Sequence, residues 1–221
     1  IYLSQKAFDK ATATADDVLK RAAKNNDALT LKGNILLAQG KTQEAIAQFQ
    51  SAVNNDPSSG TTRYYLGLAY MQAKNPQRAE SEWNEAVKTA GQFVQPYVAL
   101  ARLKLDAGDP DTAIRFAQQA LSINPSLGDA QIILGSAYAG KKDYKNAAAQ
   151  FEELLKRNPD NPLGLQRLGQ VYLAMGNNAQ AEAQFEKVLR KDPRSIDAWA
   201  GLTWVYLSQK QPDKAIQRLS Q

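Results

Sequence analysis

Two adjacent acid pairs, Asp16-Asp17 and Glu152-Glu153, are the residues here that most invite a chemical reading. Paired carboxylates can share general acid and base roles or hold a divalent cation. Both pairs fall on helical stretches whose charged side faces outward, where such pairs are solvated surface charge. The chain has no Cys and no His. That excludes disulfides, thiolate zinc sites, the commonest metal ligand and the commonest general base. No Ser/His/Asp or Cys/His arrangement can form, a Ser-Lys dyad lacks a suitable fold context, and no GxxxxGK[ST] or GxGxxG phosphate loop occurs. Lys141, Lys142, Lys187, Arg190, Lys191 and Arg194 are the candidates for nucleic-acid contact. A nucleic-acid footprint needs a continuous basic stripe with stacking aromatics. The basic residues are instead scattered, so the net charge of +5 reads as a solvated surface. No catalytic set, cofactor, metal or nucleic-acid partner is expected.

The glycines are better explained by the elements around them. In Pro162–Ser195, Leu165, Leu168, Gly169, Tyr172 and Leu173 recur at intervals of three and four along one helical face. A glycine inside a helix costs about 1 kcal/mol against alanine, so Gly169 implies a neighbouring helix too close for a side chain. Gly176 follows the last apolar position, where a left-handed residue ends many helices, and Asn177 and Asn178 can cap the next. Ala181, Phe185, Val188 and Leu189 stripe a second helix, which Asp192-Pro193 stops.

This unit recurs along the chain. Units starting at Asn26, Gly60, Val94, Gly128, Pro162 and Ile196 are spaced by 34 residues. Their eighth positions are Gly33, Gly67, Ala101, Gly135, Gly169 and Thr203, and their eleventh Leu36, Tyr70, Lys104, Tyr138, Tyr172 and Tyr206. The twentieth is always alanine: Ala45, Ala79, Ala113, Ala147, Ala181 and Ala215. The twenty-fourth positions are Phe49, Trp83, Ala117, Phe151, Phe185 and Leu219, and the thirty-second Pro57, Gly91, Pro125, Pro159 and Pro193. The head is in register too, because Tyr2–Lys6 recurs as Tyr206–Lys210; Tyr2 is an eleventh position and Ala11 a twentieth. First helices are expected over 27–39, 61–73, 95–107, 129–140, 163–175 and 197–209. Second helices are expected over 6–23, 42–54, 77–89, 111–123, 144–156, 178–190 and 212–221. The third unit, with Lys104 and Ala117, should pack most loosely unless Phe116 compensates.

This pattern resembles the tetratricopeptide repeat, and the abundance of Gln, Ala and Asn is similar to its bacterial members. The resemblance implies an all-α, right-handed solenoid of antiparallel helix pairs whose first helices line a concave groove. A single domain is expected over 1–221, with a partial repeat over 1–25 and the last repeat cut short. The chain begins with Ile1 rather than Met, and both ends fall inside a repeat. A piece of a longer protein is therefore expected, or ends that stack on neighbouring copies. No apolar run approaches 18 residues, so no transmembrane helix is expected. Cytoplasm and periplasm both suit a chain without Cys.

Carried over by register, the resemblance places Asn34, Leu37, Tyr64, Leu68, Met71, Val98, Arg102, Leu105, Ile132, Gln166, Gln170 and Trp204 in the groove. Tyr64, Leu68, Met71, Val98, Leu105 and Ile132 form an apolar line suited to an amphipathic helix or extended peptide, unless they pack between first helices. Trp204 either binds or covers the last repeat. The Lys/Asn carboxylate clamp of co-chaperone members of the family is absent at the matching positions Thr30, Asn34, Tyr65, Gln95 and Ala99. So is an asparagine ladder at position six, which reads Leu31, Tyr65, Ala99, Ile133, Arg167 and Gly201. The resemblance implies a non-catalytic scaffold for a protein or peptide partner. The alternative is the scaffolding segment of a larger enzyme or polysaccharide-export assembly.

Overall fold

Thirteen-residue first helices alternate with second helices that are fourteen residues long except at the two ends, joined by turns of three and then four residues. The computed structural model describes residues 5–219, with side chains over 8–218; the reading of Tyr2 lies outside the described residues. Among these there are thirteen α-helices and no strand. They are α1 (Gln5–Arg21), α2 (Asn26–Ala38), α3 (Thr42–Asn55), α4 (Gly60–Gln72), α5 (Pro76–Thr89), α6 (Val94–Asp106) and α7 (Pro110–Ile123). The series continues with α8 (Gly128–Gly140), α9 (Tyr144–Arg157), α10 (Pro162–Ala174), α11 (Asn178–Lys191), α12 (Ile196–Ser208) and α13 (Pro212–Leu219). The architecture is an α-solenoid of helix pairs. The chain divides into two compact units, Ile1–Leu103 and Lys104–Gln221, with the division inside α6.

First helices start one residue earlier than the sequence spacing suggests, because the residue before them is the cap. Asn25, Ser59, Asn161 and Ser195 accept from the backbone N–H groups of Ala28, Thr62, Gly164 and Ala198. Asn75, Asp109 and Asp143 cap second helices in the same way. Asn177 does not: it occupies the capping position of α11 without a side-chain bond. The capping role expected of it is corrected to a purely backbone one.

The three-residue turn closes identically in six repeats. The fifteenth residue is left-handed whether it is glycine (Gly40, Gly108, Gly176) or lysine (Lys74, Lys142, Lys210). Its N–H bonds the carbonyl three residues back, and the next N–H reaches five back, as Gly176 to Leu173 and Asn177 to Tyr172. These paired bonds satisfy carbonyls left over at the helix end.

Packing turns on the eighth and twenty-fourth positions. A Cβ on Gly33 would lie 2.5 Å from the Phe49 ring, on Gly67 2.2 Å from Trp83, on Gly135 2.7 Å from Phe151, and on Gly169 2.9 Å from Phe185. Phe185 is also closed over by the following repeat, since a Cβ on Gly201 would lie 2.5 Å from it. The third repeat carries Ala101 and Ala117 at these positions, both fully buried, and Phe116 is buried beside them in sequence. The invariant alanines Ala45, Ala79, Ala113, Ala147 and Ala181 are completely buried.

The four eleventh-position tyrosines each tie their repeat to the one before. Gln50 and Gln118 donate to the hydroxyls of Tyr70 and Tyr138 at 2.8 and 3.3 Å. Tyr172 and Tyr206 donate to Glu152 and Glu182 at 2.7 and 2.8 Å. Burial, then the hydrogen bond and charge of Glu152, push the Tyr172 phenol up to about 12.

Two outcomes follow. Gly135→Ala should destabilise the chain by about 1–3 kcal/mol through overpacking, yet stabilise a Phe151→Ala background by about 1 kcal/mol through helix propensity. Urea unfolding of the four proteins reads the reversal of sign; an unchanged sign refutes the interlock. With its folded pKa raised above the unfolded value near 10, Tyr172 contributes stability that is complete below about pH 10 and lost towards about pH 12. The stability gap between the parent and Tyr172→Phe should therefore narrow over that window; a constant gap refutes the tie.

Candidate functional site: the open faces of the first helices

Burial separates the residues that recur from those that vary. In α4, Leu66, Gly67, Ala69 and Tyr70 are buried, whereas Thr61, Tyr64, Leu68 and Met71 form a stripe at three- and four-residue spacing that is half-buried or exposed. In α2 the corresponding stripe is Thr30, Asn34 and Leu37, with Leu31 beside it at 45% exposure. Met71 is 38% exposed. An aromatic cluster supports this stripe of the first unit. Tyr65 stacks on Phe49 at 6.1 Å, Tyr64 meets Tyr65 at 5.5 Å, and Phe93 meets Tyr64 edge-on at 5.5 Å. Desolvation, and secondarily the neighbouring Tyr65, raise the Tyr64 phenol above its ordinary value, so it remains neutral at physiological pH. Trp83 donates to the Tyr64 carbonyl at 3.0 Å, fixing the base of the cluster. Val98 is half-buried and Arg102 exposed in α6.

In the second unit the expected line breaks. Ile132 is 5% exposed and neighbours buried Gln131 and Ile133, so it belongs to the packing of α8 and not to an open face. Its register position is right, but burial extends over most of α8, from Ala130 to Gly135. Leu105 and Gln166 are half-buried, Gln170 is exposed, and Trp204 is 64% exposed with Leu207 one turn further on. A cavity of 220 Å³ opens between α8 and α10, lined by Ser136, Ala139, Tyr144, Phe151, Arg167, Gln170 and Val171. Arg167, absent from the expected groove set, is exposed and donates to Gln170 at 3.2 Å. The signal for it was the break in type at position six, where other repeats carry apolar or small residues.

The acid pairs are accounted for structurally. Glu152 accepts from Tyr172, Glu153 pairs with Lys156 and Arg157, Asp16 with Lys32, and Asp17 with Arg21. Among the described residues no cluster of acids is placed to hold a metal ion, and no helix is long and apolar enough to cross a membrane.

Stacked helix pairs with a closed register and variable outer stripes define a helical-repeat interaction scaffold. Family models described as tetratricopeptide repeat match residues 1–60, 30–93 and 98–162, and further ones match 150–183 and 172–221. The chain belongs to the tetratricopeptide repeat family. It is 24% identical over 176 residues to a DnaJ homolog subfamily C member 7 homolog of Schizosaccharomyces pombe, covering 71% of this chain and 36% of that protein. It is 30% identical over 139 residues to the Vi polysaccharide export protein VexE of Salmonella typhi, covering 61% of this chain and 21% of that protein. The chain thus spans about a third or less of these curated relatives. The solved structure of YrrB, described as a TPR protein with an unusual peptide-binding site, superposes with a TM-score of 0.73 at 18% identity, covering 86% of this chain and 98% of that one.

The division between open and packed residues is testable. Met71→Ala should change stability by no more than about 0.5 kcal/mol, while Ile132→Ala should cost about 2–5 kcal/mol. Equal effects in urea unfolding would overturn the assignment of Ile132 to the core.

Proposed function

We propose that this chain is a non-catalytic scaffold that binds a peptide or protein segment along the open faces of its first helices. The observation that carries the reading is the accessible apolar stripe of the first unit, Leu31, Tyr64, Leu68 and Met71, set against the burial of nearly every residue that recurs between repeats. Contiguous apolar surface kept accessible on a rigid support marks interaction sites. The alternating side chains of an extended segment, or one face of an amphipathic helix, can use such a stripe. The peptide-binding site named for YrrB is consistent with this use of the fold.

A second reading rests on the coverage of the relatives: this array is the scaffolding segment of a larger assembly, as in a polysaccharide-export protein or a co-chaperone. A full reading frame without any further domain would remove that reading and leave the first in place.

Panning a random dodecapeptide library on the chain should enrich apolar peptides. Their binding should fall at least about tenfold in Leu68→Asp/Met71→Asp, the equivalent of 1.4 kcal/mol, and persist in Asn54→Lys on the outer side of α3. Equal binding to all three proteins would refute the assignment of the open face.

A further inference from the structure

Helix α12 is apolar on both sides. Ala198, Leu202, Val205 and Tyr206 are buried in the core of the second unit. On the opposite face Ile196, Ala200, Trp204 and Leu207 follow one another at intervals of four, four and three. Ile196 is 83% exposed, Trp204 64% and Leu207 45%, with Ala200 exposed between them. Asp197 is the single charged residue in the helix, and Thr203 turns its hydroxyl back to the Trp199 carbonyl at 2.9 Å. The same four register positions of α10 hold Pro162, Gln166, Gln170 and Leu173, so register alone does not demand an apolar face. A helix with apolar residues all round is ordinarily covered on all sides, and a contiguous apolar stripe left exposed marks an interaction surface.

We propose that this stripe is a homodimer interface, in which α12 packs antiparallel against α12 of a second copy of the chain across a two-fold axis. Self-complementarity singles out the second copy. A two-fold contact sets one surface against itself, and packed helix axes lie about 8–10 Å apart, so a large side chain needs a small one opposite. Antiparallel pairing supplies that match. With the two Trp204 side chains straddling the axis, Leu207 of each copy falls over Ala200 of the other. The same register brings Asp197, in the first turn, to the end where Lys210 follows the helix. Both are exposed, and neither forms an ion pair with the described residues of its own chain. Antiparallel helices also set each positive N-terminus beside a negative C-terminus. A parallel pair would instead place Asp197 against Asp197 and leave Lys210 without an opposite charge. A peptide partner would need no such match of the surface with itself. The interface uses no residue of the first unit's stripe, so it goes beyond the groove reading and is tested separately from it.

Sedimentation equilibrium of the intact chain should show its 24.2 kDa mass double as the concentration rises to about 100 μM. Trp204→Asp should weaken association at least about tenfold, while its circular dichroism spectrum matches that of the parent because the side chain is exposed. Asp197→Lys and Lys210→Asp should each weaken association, and the two together should restore it. The chain has no cysteine, so introduced thiols report the register without background. An equal mixture of Ala200→Cys and Leu207→Cys chains should oxidise mainly to the mixed disulfide dimer. A chain that stays monomeric up to that concentration, association that survives Trp204→Asp, single charge reversals that the double variant does not rescue, or a predominance of like-with-like disulfides would each overturn the proposal. So would a monomeric chain that captures library peptides through Trp204, which would give this face to a peptide partner.

Discussion

An aromatic ring seated where a glycine leaves no side chain is the contact on which the helix pairs depend. Phe49, Trp83, Phe151 and Phe185 each approach the eighth-position glycine of their own repeat closely enough that a single methyl group would collide with the ring. The helix therefore carries a residue that costs about 1 kcal/mol of propensity, and that cost is offset by complete or near-complete burial of a large ring. Phe185 extends the principle between repeats, lying close to both Gly169 and Gly201. Where the ring is missing, at Ala117, the partner position is Ala101 rather than glycine. The methyl of Ala101 replaces only part of the missing ring, and Phe116, the residue before Ala117, is buried as well.

Two further devices depend on this spacing. The three-residue turn places its fifteenth residue in the left-handed region in every one of the six repeats, including three lysines. A left-handed lysine is disfavoured by about 1–2 kcal/mol, so packing of the pair and the two turn bonds dictate the geometry, and glycine merely eases it. The tyrosine ties then connect consecutive pairs. Their partner changes from a donating glutamine at Tyr70 and Tyr138 to an accepting glutamate at Tyr172 and Tyr206, so the last two ties use charged acceptors where the earlier two use an amide donor.

With the recurrent residues committed to packing, the surface left for the proposed recognition is made by residues that differ between repeats. The first unit offers an uncharged stripe of Leu31, Tyr64, Leu68 and Met71 over an aromatic cluster. The second offers Arg167 beside a cavity and a largely exposed Trp204. One backbone thus carries surfaces of different chemistry, because a first helix exposes only one of its faces and that face is free to vary.

The sequence alone determined the period, the helix pairs, the invariant alanines and the close approach of a neighbouring helix at the eighth-position glycines, because each repeats and repetition exposes a shared steric constraint; that the group met there is the twenty-fourth-position ring came from the structure. The resemblance to the repeat family added candidate groove positions on one face of each first helix. Other features were decided only in three dimensions. Ile132 occupies a groove register yet is buried, because burial depends on what the neighbouring helices place over it and not on register. Asn177 stands where a cap belongs but makes no cap bond, since that depends on a rotamer. The cavity beside Arg167 exists because residues from α8, α9 and α10 leave space between them. Register fixes which direction a side chain leaves its helix; only the packed neighbours decide whether it meets solvent, another side chain or a void.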